Sequence, residues 1–294
     1  MAYRWNIVGA FIRNNPFGTE IAFRKGLERV GESVTAIDPS YPNQVFDESP
    51  DVTVVFKWVD DGPYRDKIKS LPGKKVIYQV DDLRFDHIKK MMVEMRSVCD
   101  HAMTFDNDGA QLALSYGYES ARRILLTADD HLYRKINGAP KDIDVTFIGS
   151  LSYGFNHKSR MRMIDIVRGL GLNFVVANEL FNIDRINQIY NRSKIVLNHA
   201  TDVGQQFGTG FGYQCRHFEA GFSGACVLSN RVLNEDVLPL ETFGSESELT
   251  EKVRLLVNDR KRVDESASRL HDCLMSAHRP VHRAHEMIEY VRGL

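Results

Sequence analysis

Residues 212–230, GYQCRHFEAGFSGACVLSN, bring an arginine and a glutamate together in a short stretch that predicts a helix followed by a buried strand. Arg216 and Glu219 are three residues apart, so they would share one face of that helix. A guanidinium suits phosphate oxygens and a carboxylate suits paired sugar hydroxyls, so the pair fits a sugar nucleotide. The alternative is an intrahelical ion pair, which stabilises a helix by only about 0.2–0.5 kcal/mol.

The segment DVTFIGSLSYGFNHKSRMR, residues 144–162, joins a predicted buried strand to a predicted helix. Gly149 and Ser150 lie in the turn, and Arg160 lies in the helix. Free backbone N–H groups and the positive end of the helix dipole favour phosphate at such a turn. An ordinary turn with a solvated basic helix is the alternative.

An asparagine and a histidine end another predicted strand, KIVLNHA, residues 194–200, and a glycine-rich loop follows it. Open parallel sheets bind ligands at the carboxyl ends of their strands. Asn198 and His199 are therefore candidate ligand-binding residues. A histidine in this position can also be satisfied within the fold, which is the commoner case.

Carboxylates follow two predicted strands in the first half of the chain. Asp81 and Asp82 occur in YQVDDLRFDH, and Asp106 occurs in FDND. A general base must reach the hydroxyl that it deprotonates, and a carboxylate at a strand end can do so. Because aspartates also form turns and cap helices, each of the three is a candidate only.

Short apolar segments rich in β-formers alternate with amphipathic helical segments along the whole chain. The first strand is predicted at residues 6–12, the first helix at 20–31 and the second strand at 33–38. Continuous apolar strands separated by helices indicate parallel sheets covered on both faces, and hence an α/β fold. Glycine, proline and charged residues at 134–143 predict a linker between two such halves.

The composition is that of an ordinary globular protein, with 43% apolar and 26% charged residues and a formal net charge of −1. This net charge does not indicate a basic surface for binding nucleic acid, although a nucleic-acid acceptor stays possible. The four cysteines are scattered, without the spacing of a zinc site. Neither a secretion signal nor a long apolar run is present, so a cytoplasmic protein is expected.

Four segments occur in the order found in CgeB-like glycosyltransferases, the spore-maturation-protein-like group. They are INQIYNRSKIVLNHA, CRHFEAGFSGACVLSN, FGSESELTEKVRLLVND and SAHRPVHRAHEMI. The sequence resembles this family over about residues 144–290, and its first half resembles it in layout only.

The resemblance implies a GT-B fold, in which two Rossmann-like domains have parallel sheets that face a central cleft, with C-terminal helices. It implies an acceptor-side domain at residues 1–138 and a domain that binds the nucleotide sugar at 139–275. A terminal segment, 276–294, is expected to pack back on the first domain. The predicted function is transfer of a sugar from a nucleoside diphosphate sugar to a hydroxyl of a glycan, protein, metabolite or modified nucleobase.

The same resemblance implies roles for individual residues. Glu219 would bind the ribose hydroxyls, while Arg216 and the neighbourhood of Gly149, Ser150 and Arg160 would lie on the diphosphate side. In the loop after the first strand, Asn15 and Gly18 would come close to the transferred sugar.

No cofactor and no metal ion are expected, because GT-B enzymes generally stabilise the leaving diphosphate with helix dipoles and basic side chains. Two D-x-D sequences, at 106–108 and 142–144, match the spelling of a metal-binding motif in another transferase fold. The first lies in the wrong half of the chain for the donor, and the second lies in the predicted linker.

One departure from the pattern leaves the stereochemical outcome open. Many retaining GT-B enzymes have a glutamate eight residues before the one at position 219, and this chain has Phe211 there. A non-catalytic protein that senses a nucleotide sugar is therefore the alternative function. An NAD(P)-dependent enzyme is a third possibility, but the chain lacks the G-x-G-x-x-G fingerprint.

Overall fold

The computed structural model describes residues 2–9, 18–41, 43–57, 62–151, 157–178, 182–200, 207–233 and 237–294. The chain divides into two compact units, one formed by residues 1–127 and 279–294 and the other by residues 128–278. In the part of the chain so described, no helix combines the length and the apolar character needed to cross a membrane.

The strands of the first unit are β1 (Arg4–Gly9), β2 (Ser33–Ile37), β3 (Val52–Phe56), β4 (Lys74–Gln79), β5 (His101–Thr104) and β6 (Ser120–Arg123). Those of the second unit are β7 (Ile143–Ile148), β8 (Phe174–Ala177), β9 (Ser193–Asn198), β10 (Thr209–Phe211), β11 (Cys226–Leu233) and β12 (Glu241–Phe243).

The helices of the first unit are α1 (Thr19–Arg29), α2 (Gly62–Ser70), α3 (Asp86–Met95), α4 (Asn107–Ser115) and the last helix, α10 (Pro280–Arg292). Those of the second unit are α5 (His157–Arg168), α6 (Ile183–Arg192), α7 (Cys215–Phe222), α8 (Glu246–Asn258) and α9 (Arg260–Ala277).

The first sheet is entirely parallel, in the order β2-β1-β3-β4-β5-β6. All five residues of β3, VTVVF, are buried, because a parallel strand with helices on both faces has no side that meets water. Val55 and Ile77 of adjacent strands pack in one core with Met92 of α3.

The second sheet is also parallel, in the order β10-β11-β9-β7-β8. The short strands β12 and β10 pair with successive parts of β11, residues 228–230 and 231–233 respectively. Phe147, Leu197 and Leu228 come from the three central strands and form the core with helices α5, α8 and α9. The predicted α/β class with two parallel sheets is thus confirmed.

Several predicted boundaries differ from the observed ones. The apolar pattern of the sequence predicts strands at 101–108 and 121–129. Strand β5 instead ends at Thr104, because Asp106 caps α4 by accepting the Gly109 N–H at 2.6 Å. Strand β6 ends at Arg123. Of the predicted first strand, residues 10–12 lie outside the described part of the chain.

The segment 128–138 belongs to the second unit, although the sequence placed the boundary after residue 138. Two asparagines of α6 hold its backbone. Asn187 accepts the Arg134 N–H at 3.1 Å, and Asn191 accepts the Ile136 N–H at 2.6 Å. Side chains on a helix some 50 residues away fix this segment, so its own composition could not reveal where it belongs.

Helix α10 returns to the first unit and packs against α1 at a very short distance. Gly26 of α1 makes this possible, since a Cβ atom there would lie 2.7 Å from the carbonyl carbon of Pro280. The missing side chain lets the backbone of α10 approach the helix directly.

We expect Gly26→Ala to destabilise the protein by about 1–3 kcal/mol, because the clash with the Pro280 backbone outweighs the gain in helix propensity. The midpoint of urea unfolding would fall. Gly293→Ala is the matched control, since its Cβ would meet the Tyr290 and Glu289 oxygens at the ordinary contact distances of 3.4 and 3.8 Å. Equal midpoints for the two variants would contradict a close contact between α1 and α10.

Candidate functional site

The carboxyl edge of the second sheet collects the residues that the sequence assigned to a donor. Gly149 and Ser150 follow β7, Asn198 ends β9, and His199 follows it directly. Arg160 lies in α5, and Arg216 and Glu219 lie in α7. The parallel pairing of β7, β9 and β11 places these strand ends side by side.

Two arginines share the ring of Phe147, a residue that the sequence did not single out. The guanidinium carbon of Arg216 lies 4.9 Å from the ring centroid, and that of Arg160 lies 5.8 Å from it. Among the described residues, no carboxylate forms an ion pair with either arginine. Burial and the charge of Arg216 lower the pKa of Arg160 to about 10. Two guanidinium groups held together on one ring are suited to bind an anion.

Arg216 is fixed by a hydrogen bond that its guanidinium donates to Oδ1 of Asn198, at 2.7 Å. Gly149 leaves room for the guanidinium, because a Cβ atom at this position would collide with Nη2 of Arg216. Arg160 in turn donates to the backbone oxygen of Ser150. The predicted turn therefore contacts both arginines through its backbone.

Glu219 lies one helical turn after Arg216 and accepts a hydrogen bond at 3.3 Å from the hydroxyl of Tyr190, on α6. Burial raises the pKa of Glu219, while Arg216 and Tyr190 oppose that shift. The ring of Tyr133 lies 6.4 Å from that of Tyr190. Both tyrosines are residues that sequence reasoning missed.

Several buried polar atoms at this edge have no hydrogen-bond partner within the described residues. They are Ser150 Oγ, Arg160 Nε, Tyr133 Oη and both ring nitrogens of His199. Buried polar groups are almost always paired in folded proteins, since an unpaired one costs about 1–3 kcal/mol. Their concentration here is what a site for a polar ligand would show.

His199 and His217 differ in their surroundings, although both are buried and uncharged. His217 accepts the Gln214 N–H at 2.9 Å, and its Nε2 lies 3.0 Å from Ser229 Oγ, so its role is structural. The side-chain nitrogen of Asn198 also lies against this ring. His199 makes no such contacts. Burial lowers the pKa of each ring to about 3, and for His199 the nearby arginines add to the effect.

The candidate bases in the first unit have structural partners. Asp82 accepts the Arg84 N–H at 2.9 Å and pairs with its guanidinium at 2.7 Å. Asp106 caps α4 and lies 3.4 Å from the same guanidinium. Asp81 is half exposed, and its one ion pair among the described residues is a long contact to Lys57, at 3.7 Å. Asp81 is thus the least constrained of the three.

The loop after β1 is described only in part. Gly18 is the residue before α1 and has an ordinary extended conformation, with φ −62° and ψ 131°. Asn15 lies outside the described residues. Glu20, which the sequence did not indicate, lies next to Gly9 at the end of β1, and burial raises its pKa.

In both D-x-D sequences, the aspartates form ion pairs with arginine or lysine side chains of the protein itself. Asp142 pairs with Arg192, and Asp144 pairs with Lys194 at 2.7 Å. Asp108 pairs with Arg84 at 2.9 Å, beside Asp106. Within the described ranges, no group of three or more histidine, cysteine or acidic side chains could hold a metal ion.

Comparisons with known proteins show the family and the fold of the chain. Residues 127–289, more than half of the chain, match a family described as glycosyl transferase-like. A search of curated proteins found no match. An alpha-glucosyltransferase solved with UDP and a 13-mer DNA containing an HMU base has a TM-score of 0.71 and 11% identity. The match covers 99% of this chain and 100% of that one.

Two further similar structures come from sugar metabolism. Sucrose-phosphate synthase from Thermosynechococcus elongatus has a TM-score of 0.66 and 10% identity, over 99% of this chain and 98% of that one. A trehalose-6-phosphate protein from E. coli bound with UDP-2-fluoro glucose has a TM-score of 0.66 and 7% identity, over 99% of both chains. Such low identities show the fold alone, and that fold is GT-B, as predicted.

We expect His199 to lower stability in acid. Its folded pKa lies below the value of about 6.5 in unfolded chains, so the unfolded state takes up the proton first as pH falls. Between pH 7 and pH 5 this removes about 2 kcal/mol from the free energy of unfolding.

Urea unfolding of the wild type and of His199→Gln at pH 7 and pH 5 measures the effect. The variant should lose less stability than the wild type, because the other titrating groups are common to both. An equal loss would show that His199 is already protonated, or accessible to water, in the folded protein.

Proposed function

The chain belongs to the glycosyl transferase-like family, and we propose that it transfers a sugar from a nucleoside diphosphate sugar to an acceptor hydroxyl. The observation that carries this proposal is the pair of arginines on Phe147, which have no carboxylate partner among the described residues. Two guanidinium groups at the carboxyl edge of a parallel sheet suit a diphosphate in both charge and geometry. We place the chain in the CgeB-like group within the family.

In this proposal Arg216 and Arg160 bind the diphosphate, and Glu219 accepts hydrogen bonds from the two ribose hydroxyls. Tyr190 already donates to Oε2 of Glu219, which orients the carboxylate. Within the described residues, Oε1 of Glu219 has no partner, so one oxygen is left for the ligand. Asn198 keeps Arg216 in place, and its own side chain is fully buried.

His199 contributes a neutral donor and a neutral acceptor near the two arginines. Because the pKa of its ring is lowered to about 3, it carries no charge at neutral pH. One ring nitrogen can therefore donate to a phosphate or sugar oxygen, while the other accepts a hydrogen bond from a hydroxyl. Ser150, whose Oγ is buried without a partner, supplies a further hydroxyl at the same edge.

The reaction breaks the bond between the anomeric carbon and the diphosphate oxygen, and forms a bond from that carbon to the acceptor oxygen. The arginines stabilise the negative charge that develops on the leaving diphosphate, which is the role that a divalent cation has in other transferases. We therefore propose a reaction that needs no metal ion. A carboxylate takes the proton of the acceptor, and Asp81 is the foremost candidate because Asp82 and Asp106 already hold Arg84 and a helix end.

We propose a uridine nucleotide as donor, supported by the presence of UDP or a UDP sugar in two of the similar structures. The binding site can be tested with two variants and two ligands. Glu219→Gln should weaken both UDP and uridine by about tenfold or more, since both ligands carry the ribose. Arg216→Met should lower the affinity for UDP by a similar factor and leave the affinity for uridine within twofold of the wild type.

Isothermal titration for UDP and ligand-observed NMR for uridine measure these affinities. Glu251→Gln and Arg254→Met make the same chemical changes on the exposed surface of α8 and should bind both ligands like the wild type. Normal UDP affinity in Glu219→Gln would remove that residue from the site. Parallel losses of UDP and uridine in Arg216→Met would mean that the arginine supports the fold rather than the diphosphate.

Catalysis itself is tested by slow donor hydrolysis, in which water replaces the acceptor. Purified protein incubated with UDP-glucose or UDP-N-acetylglucosamine should release UDP above the rate without protein, and EDTA should not change that rate. Arg216→Met should reduce the release about tenfold or more. Tight UDP binding with no release, and no transfer to any acceptor, would favour the sensor. Loss of activity with EDTA would refute metal independence.

A further inference from the structure

A polar cavity lies at the amino end of the second sheet, opposite the edge that carries the candidate donor residues. It has a volume of about 420 Å³, within the range of small-molecule pockets. One wall is the segment 135–139 with Lys141, and the other is a face of α9 that carries Arg260, Asp264 and His271. None of the residues assigned to the donor lines this cavity.

The position of Lys141 identifies the end of the sheet. Its ammonium group donates to the backbone oxygen of Ser193, the first residue of β9, at 2.9 Å. It also lies 3.4 Å from the oxygen of Gly224, two residues before β11 begins. The donor residues Gly149 and Asn198 lie at the other ends of β7 and β9.

Positive charge exceeds negative charge in this cavity. Lys135, Lys141 and Arg260 line it, and the single carboxylate, Asp264, already pairs with Arg260 at 2.8 Å. Burial, followed by the charge of Arg260, lowers the pKa of Lys141 to about 8. The cavity thus has more cationic than anionic side chains in its lining among the described residues, which favours an anionic ligand.

Both lysines have donors left for a ligand. An ammonium group has three N–H donors, and the two carbonyl oxygens account for only two of those of Lys141. In the described part of the chain, Lys135 has neither an ion pair nor a hydrogen bond from its ammonium group. Its aliphatic stem packs on Gly224, since a Cβ atom there would lie 3.1 Å from Lys135 Cγ. The stem is thereby held beside the cavity.

Hydrogen bonds to neighbouring helices hold both walls of the cavity in position. Asn191 accepts the Ile136 N–H and donates to the oxygen of Arg134, so α6 holds the segment that carries Lys135. His271 lies 3.1 Å from the oxygen of Gly221 and joins the other wall to the end of α7. A site built on such supports keeps its charges in position whether or not it is filled.

We propose that this cavity binds the phosphate group of a small phosphate ester, separately from the site for the nucleotide sugar. Lys135 and Lys141 bind the phosphate oxygens, and Asn137 and Ser268 line the space for the organic part. Two ammonium groups suit a compact dianion, which accepts hydrogen bonds from several directions. The proposal does not depend on sugar transfer by the other edge of the sheet.

The test measures binding of inorganic phosphate and of glycerol 3-phosphate to the full chain by isothermal titration at constant ionic strength. An Arg216→Met background weakens phosphate binding at the donor edge. In that background, Lys135→Met should lower the affinity for both probes about threefold to tenfold. Lys141→Met should lower it about tenfold or more.

Lys261→Met in the same background is the matched control. Lys261 is exposed on α9, next to Arg260, and does not line the cavity. The Lys261→Met substitution removes the same positive charge and should change the affinity for either probe by less than twofold. If Lys141→Met fails to fold because it loses its two carbonyl contacts, Lys135→Met decides the question, since that side chain is exposed.

Tighter binding of glycerol 3-phosphate than of phosphate would identify an ester as the ligand, and equal binding would identify the free anion at the same site. Either result supports the phosphate site if the lysine variants weaken it. The proposal is overturned if Lys135→Met binds both probes like Lys261→Met, or if neither probe binds in the Arg216→Met background.

Discussion

The hydrogen bond between Arg216 and Asn198 is the contact on which the candidate donor site depends. Asn198 is fully buried at the end of β9, where its amide lies against His217 and its oxygen is left for the guanidinium. A flexible cation thereby acquires a fixed position beside Phe147. Since guanidinium groups recognise anions through the directions of their N–H bonds, this fixation gives the charge its geometry. Parallel pairing of β9 with β11 sets the register that makes the contact possible.

The sequence predicted the second unit well because its elements follow local rules. Apolar strands, helix lengths and the positions of Gly149, Asn198 and Arg216 at strand ends or on α7 all follow from periodicity and from the edge at which parallel sheets bind ligands. Phe147, Tyr133 and Tyr190 could not be found in this way. Only the folded structure shows that the Phe147 ring and the Tyr190 hydroxyl contact charged residues of the site, and that the Tyr133 ring lies beside Tyr190.

In the first unit, by contrast, the sequence could not distinguish the candidate catalytic residues from structural ones. Three aspartates at or near strand ends were equivalent as candidates in the sequence, but Arg84 and the end of α4 engage two of them in the structure. Arg84, which engages these two carboxylates, lies two residues from Asp82 and 22 residues from Asp106. Glu20 escaped notice because it begins a helix, where an acidic residue is ordinarily explained by the helix dipole.

Two consecutive residues of helix α6 make contacts at opposite ends of the second sheet. The hydroxyl of Tyr190 orients Glu219, and the amide of Asn191 holds the segment that carries Lys135. Asn187, on the same helix, also accepts a hydrogen bond at 2.8 Å from Ser223, just after α7. A rotation of α6 would therefore alter both ends of the sheet at once. If ligands at the two ends act on α6 in this way, thermodynamic linkage requires that each change the affinity for the other by the same factor.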